Sequence, residues 1–202
     1  MPSYAAAMEE DTVAARLLNV MERDILPMTE RGVAAGNKVF GAALLRKSDF
    51  SVVIAGTNAE TANPLLHGEI STLNRFYERS ARPSTQDLVF LSTHEPCPLC
   101  LSAITWCGFD NFYYFFTYQD SRDAFGIPHD LRILKEVFGV DDGAYRRKNA
   151  FWTAYSIGAL VETEAEPRRT RLREQDKRIR DTYAALSAQY QSSKADNDIP
   201  FN

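Results

Sequence analysis

The chain is expected to fold as a three-layer α/β unit. The first ground is the alternation of short apolar strands with helical patterns, which indicates a sheet covered by helices on both faces. The second is an early pair of strands with a tight polar turn between them. The third is Leu88–Ser92, a nearly all-apolar segment of the kind buried on both sides of a parallel sheet. Together they predict a largely parallel sheet with an antiparallel first hairpin.

In chain order, a helix follows Asp11, with Val13, Leu17, Val20 and Met21 at helical spacing, and Pro27 is expected to end the pattern. Val39–Leu45 and Phe50–Ala55 read as strands joined by the turn Arg46–Asp49. A loop over Gly56–Leu66, a helix from His67 to Arg79 and a connector over Pro83–Gln86 follow. After Leu88–Ser92, a helix should start near Cys97, with Pro98 in its first turn and Gly108 at its end. Phe112–Thr117 is an aromatic strand expected in the sheet core, and Asp130–Phe138 a further helix.

The composition changes after about Glu162, which divides the chain into a catalytic unit over 1–162 and a charged helix and tail over 163–202. Residues 168–180 are strongly basic, and Leu172, Ile179 and Leu186 recur every seven residues, with Tyr183 and Tyr190 beside them. A narrow apolar stripe on a charged helix docks on something, either the core or a neighbouring subunit. The tail Ser192–Asn202 looks frayed.

The 202 residues, 45% hydrophobic and 25% charged, suit a globular domain. No apolar run is long enough for a membrane helix. The acidic opening MPSYAAAMEEDT does not look like an export signal. Three cysteines, Cys97, Cys100 and Cys107, make no disulfide framework and point to a reducing, cytoplasmic compartment. A net charge of −4 argues against nucleic acid as a partner.

The chemistry lies in His67-Gly68-Glu69 and Pro96-Cys97-Pro98-Leu99-Cys100. Cysteines three apart in the first turn of a helix present both sulfurs on one face, where the helix dipole favours thiolates. An imidazole nearby completes three ligands of the type zinc prefers, leaving a fourth position for water, whose pKa zinc lowers towards ~7. Glu69 can then take that water's proton and pass it to a ring nitrogen and to a departing amine. Helical residues two apart point about 200° apart, so His67 and Glu69 can share a site only at a helix start. The C-x-x-C alone could equally be a redox pair, or half of a four-cysteine site that Cys107 cannot complete. His94 could contact substrate or be a strand-end side chain. His129 reads as a surface or capping residue and Cys107 as core, while Trp106 and Trp152 could pack in the core or stack on a planar base.

The order H-x-E…P-C-x-x-C is the pattern of zinc nucleobase deaminases, and over about residues 39–138 the sequence resembles the cytidine deaminase superfamily. His67-Gly68-Glu69-Ile70-Ser71-Thr72-Leu73 is similar to fungal cytosine deaminases, while Glu95-Pro96-Cys97-Pro98-Leu99-Cys100 and Ser102-Ala103-Ile104 look more like guanine and transfer RNA adenosine deaminases. The resemblance implies a three-layer α/β/α fold with a mixed five-stranded sheet, a homodimer, and one zinc per chain on His67, Cys97 and Cys100, with Glu69 as proton shuttle. It also implies that Asn58, in Gly56-Thr57-Asn58, contacts the base. Thr117-Tyr118-Gln119-Asp120 is similar to a stretch in guanine deaminases that ends in a base-reading Asp, so Asp120 is either that reader or a turn or helix-cap residue. The expected reaction is hydrolytic deamination of a free nucleobase or similar aminated heterocycle, guanine first and cytosine next. The alternatives are a transfer RNA adenosine deaminase, which the basic stretch would suit, and an inactive zinc-stabilised scaffold.

Overall fold

The computed structural model describes residues 12–201; the opening segment read above for an export signal lies outside them, apart from Thr12. Five strands form one sheet in the order β2-β1-β3-β4-β5: β1 (Gly41–Arg46), β2 (Val52–Thr57), β3 (Leu88–His94), β4 (Asn111–Phe116) and β5 (Thr153–Ser156). β1 pairs antiparallel with both β2 and β3, whereas β3–β4 and β4–β5 are parallel. The sheet is therefore mixed and less parallel than expected, because β1 returns between β2 and β3. β5 is a strand the sequence reading passed over: it has four residues and no buried run.

Helices α1 (Val13–Val20), α2 (Leu26–Ala34), α3 (Gly68–Tyr77), α4 (Pro98–Trp106), α5 (Tyr118–Asp123), α6 (His129–Phe138), α7 (Ile157–Thr163) and α8 (Arg168–Ser193) complete the described fold. Two hydrophobic clusters lie on the two faces of the sheet. One joins α1, α2, α7 and α8 to Ala43, Leu45, Val89 and Leu91; the other joins α3 and α4 to Ala42, Leu44, Phe90 and Phe112. Alternate residues of β1 enter opposite clusters, as a strand's period of two requires.

Three expectations are corrected. Pro27 does not end the first helix. A π-helical turn over Met21–Ile25 intervenes, and Pro27 sits in the first turn of α2, where its missing N–H costs nothing. The tail is not frayed through the described part: α8 runs to Ser193, Asn197 donates to the Gly36 carbonyl at 3.0 Å, and Ile199 is buried. Trp106 neither packs in the core nor stacks, being 90% exposed, whereas Trp152 is buried and donates to Thr105 Oγ1 at 2.8 Å.

The stripe Leu172, Ile179, Tyr183, Leu186, Tyr190 is buried in the chain's own core against α1, α2 and α7. Burial of each such side chain contributes about 1.5–3 kcal/mol. The ion pairs flanking it, Lys177–Asp181 and Arg173–Glu162, are exposed, where solvent screening leaves them little weight. Packing, not charge pairing, holds α8.

Candidate metal and substrate site

The site forms where two helices begin beside the C-terminal end of β3. His67 is the N-cap of α3 and Cys97 the N-cap of α4, both with extended backbone (φ −61°, ψ 163° and φ −62°, ψ 167°). That half-helical position lets His67 share a site with Glu69, two residues on. Gly68 is required there by close approach: a Cβ would lie 2.6 Å from Gly41 Cα and 2.8 Å from the Phe40 carbonyl. The glycine lets α3 start hard against β1.

His67 Nδ1 lies 3.4 Å from Cys97 Sγ and 3.7 Å from Cys100 Sγ, and the three donor atoms fall within 4.8 Å of one another. Tetrahedral zinc at its usual bond lengths, about 2.05 Å to nitrogen and 2.3 Å to sulfur, needs N···S separations of about 3.5 Å. The donor set and its spacing fit zinc. The other imidazole nitrogen, Nε2, is 3.6 Å from Glu60 Oε1, in the manner of a carboxylate that fixes a ligand histidine's tautomer and orientation. Glu60 is itself held by Lys38 Nζ at 2.9 Å and by the Asn58 side-chain amide; Lys38, Glu60 and Asn58 are all buried.

Glu69 is buried, with Ser92 Oγ 2.8 Å from Oε1 and Cys100 Sγ 3.3 Å from Oε2. Burial, reinforced by the negative Cys97, raises its carboxyl above the usual range. Burial opposes charge on His67. The hydrogen bond and charge of Cys97 outweigh that and push the imidazole up to about 9. Cys97 is lowered, first by the Cys100 hydrogen bond, while burial and its anionic neighbour raise Cys100.

Two cavities adjoin these groups. A small one of about 20 Å³ is bounded by His67, Glu69, His94, Cys97 and Asp130, and one water molecule needs roughly 10–15 Å³. A larger one of about 480 Å³ shares Phe40, His67, Cys97 and Asp130 with it. Asp130, in the first turn of α6, thus faces both cavities; burial and the negative Cys97 push its carboxyl up. Glu95 buttresses the loop before Cys97 through Arg147 at 2.8 Å, Tyr145 at 2.8 Å and the Tyr118 amide at 3.2 Å.

The expected substrate residues separate. His94 lines the small cavity, buried between Phe40, Phe116, Phe125 and Tyr183, and burial drives its pKa well down so that it is neutral. Asn58 stands behind Glu60 and lines neither cavity; its Oδ1 and His94 Nε2 are buried without a hydrogen-bond partner among the described residues. Asp120 lines neither cavity. It closes the capping box of α5 with Thr117 and lies 3.5 Å from Arg180, which is the cap alternative. His129 opens α6 and lines the large cavity, and Cys107 is a half-buried C-cap. Lys38, Glu60 and Asp130 were missed. None of the three carried a distinguishing sequence signal.

Three metal donors with a carboxylate beside them and room for water, at the edge of an α/β/α sheet, define a zinc-dependent hydrolase. The model of the cytidine and deoxycytidylate deaminase zinc-binding region matches residues 16–116, and the chain belongs to that family. It is a hydrolase acting on the C–N bonds of cyclic amidines. It is 29% identical over 109 residues to the guanine deaminase of Bacillus subtilis (strain 168), covering 52% of this chain and 67% of that protein. Among solved structures, guanine deaminase from Nitrosomonas europaea superposes with a TM-score of 0.51 at 18% identity, over 95% of this chain and 94% of that one. Guanine deaminase from Bacillus subtilis does so with 0.50 at 23%, over 65% and 80%. A related chain in complex with 8-azaguanine gives 0.51 at 18%, over 95% of each. These likenesses show the cytidine deaminase-like fold. Among the described residues, no helix is long and apolar enough to cross a membrane.

Proposed function

We propose that the protein hydrolytically deaminates a free nucleobase or a similar aminated heterocycle, with guanine favoured and cytosine next. The observation that carries this reading is the pair of adjoining cavities: a water-sized space against Glu69, beside a substrate-sized space that shares Asp130 with it. His67, Cys97 and Cys100 would hold the zinc, which when bound supplies electrophilic activation of water. Glu69 accepts a proton from the attacking water and hands it to the ring nitrogen beside the amino-bearing carbon; it then takes the second proton from the newly added hydroxyl and gives it to the departing amine. Water and the C–NH₂ group become C=O and ammonia. Ser92 holds the Glu69 carboxyl in place, and Glu60 holds the imidazole.

Asp130 takes the place the sequence reading gave to Asp120. A carboxylate on the cavity wall accepts from a ring N–H, a donor that free bases present where nucleosides carry a sugar. Asn58, expected to contact the base, acts instead through Glu60, to which its side-chain amide donates. The relatives named for guanine favour that base. The transfer RNA alternative loses its main support, because basic residues of α8 are paired with acids: Arg173 with Glu162, Arg180 with Asp176, Arg178 with Glu22. A homodimer would cover the exposed Trp106, and the three free thiols suit a reducing, cytoplasmic compartment.

Ammonia release from guanine, cytosine, adenine and cytidine tests the reading, in wild type and in Asp130→Asn. Guanine should lead, and the asparagine variant should lose at least tenfold in kcat/KM, because an amide presents a donor to the ring N–H. A cytidine preference, or release from none of these compounds, overturns the reading.

A further inference from the structure

The large cavity exceeds what a free base fills. Guanine has eleven non-hydrogen atoms; even at a water molecule's share of about 30 Å³ for each, it takes up about 330 Å³, against about 480 Å³ available. The surplus is not polar. Beyond the groups shared with the metal end, the wall is made of Leu65, Leu99, Ile127, Ile133, Phe138 and Phe201, with several prolines. Its remaining polar side chains are mostly engaged: Lys38 with Glu60, and Ser102 with the Pro98 carbonyl at 2.9 Å. That leaves His129 and Asp130, too few to receive several sugar hydroxyls, whose burial without partners is costly.

Four of these apolar side chains are also exposed around the one cavity: Leu65 at 58%, Leu99 at 38%, Phe138 at 59% and Phe201 at 57%. Large apolar side chains gathered at the rim of a concave site mark a place for an apolar ligand group. We infer that the substrate is an aminated heterocycle carrying a sizeable apolar substituent, aromatic or branched aliphatic. Its ring amine points to the metal end and its substituent lies against Leu65, Ile133 and Phe138. The inference rests on the deaminase reading for the orientation of the ring, and on the cavity alone for the substituent.

Binding to the zinc-loaded protein, measured by calorimetry, separates the two. Guanine is compared with 7-, 8- and 9-benzylguanine, and cytosine with 1- and 5-benzylcytosine, with ammonia release followed in parallel. Burying a benzyl group should tighten Kd by about ten- to a hundredfold for at least one substituted base, with KM falling alongside. Phe138→Asp and Leu65→Asp, both at exposed positions, should each reduce the ratio between that base and its parent to within threefold. Parents that bind as tightly as every benzylated form would overturn the inference, as would a ratio that survives both variants. If Phe138→Asp altered the sedimentation of the protein and not the ratio, the wall would be a contact between copies, and the inference would again fall. A binding preference without ammonia from any compound would refute the deaminase reading and leave the cavity assignment standing.

Discussion

The two ends of the large cavity are built on different terms. At the metal end, charged and polar side chains are buried and tied to one another: Lys38 to Glu60, Glu60 towards His67, Ser92 to Glu69. At the outer end, the wall is mostly apolar and several of its side chains are exposed. A buried polar network has one satisfactory arrangement and is costly to disturb, whereas an apolar wall tolerates many shapes. Chemistry should therefore be brittle at one end, and substrate choice adjustable at the other.

Substitution at the metal end gives the largest expected effect. Cys100→Ser replaces a thiolate with a poor zinc ligand, so zinc content, read by atomic absorption, should fall to near zero and the melting temperature should drop, because metal-binding energy is in part folding energy. Full zinc in that variant would end the ligand assignment. Glu60→Gln should act one step back. The ligand set stays intact, but the imidazole loses its carboxylate partner, so zinc affinity measured by competition with a chelator should weaken about 10–100-fold. An unchanged affinity would make Glu60 merely the partner of Lys38.

The difference between the ends also explains what could be read from the sequence. His67, Glu69, Cys97 and Cys100 lie in two short segments, each opening a helix, so their geometry follows from local spacing. Glu60 could not be found this way: it matters through Lys38 and His67, on other segments of the chain, and its own neighbourhood is ordinary loop. Asp130 looked like any acid in the first turn of a helix, while Asp120 sat in a more familiar string and proved to be a cap. Among the elements, the hairpin and α3, α4 and α6 emerged from periodicity and punctuation. The π-turn at Met21–Ile25 did not, since one extra residue in a turn shifts a helical pattern without breaking it. The tail was misjudged because Ile199 is a single apolar anchor in polar surroundings.

A smaller effect concerns protons. His67 is raised to about 9 and Cys100 is raised as well, while Cys97 is lowered. Zinc binding at pH 7 should therefore release protons from His67 and Cys100, measurable as the dependence of the calorimetric heat on buffer ionisation. Release of none would contradict the protonation pattern. The raised His67 also sets a sign: its contribution to metal-free stability is fully present below pH 6.5, the unperturbed value, and is lost as the pH climbs through about 9. Cys97, lowered from its ordinary value, contributes with the opposite sign over the same range, so the two offset one another.

The central claim is that Glu69 moves protons beside a zinc it does not bind. Glu69→Gln keeps the shape and the hydrogen bond to Ser92 but cannot accept a proton. Zinc content and kcat for ammonia release, measured on the same preparation, should show the metal retained at one per chain and kcat reduced by about 10²–10⁴. A variant with kcat within threefold of wild type, or one that has lost its zinc, would contradict the account.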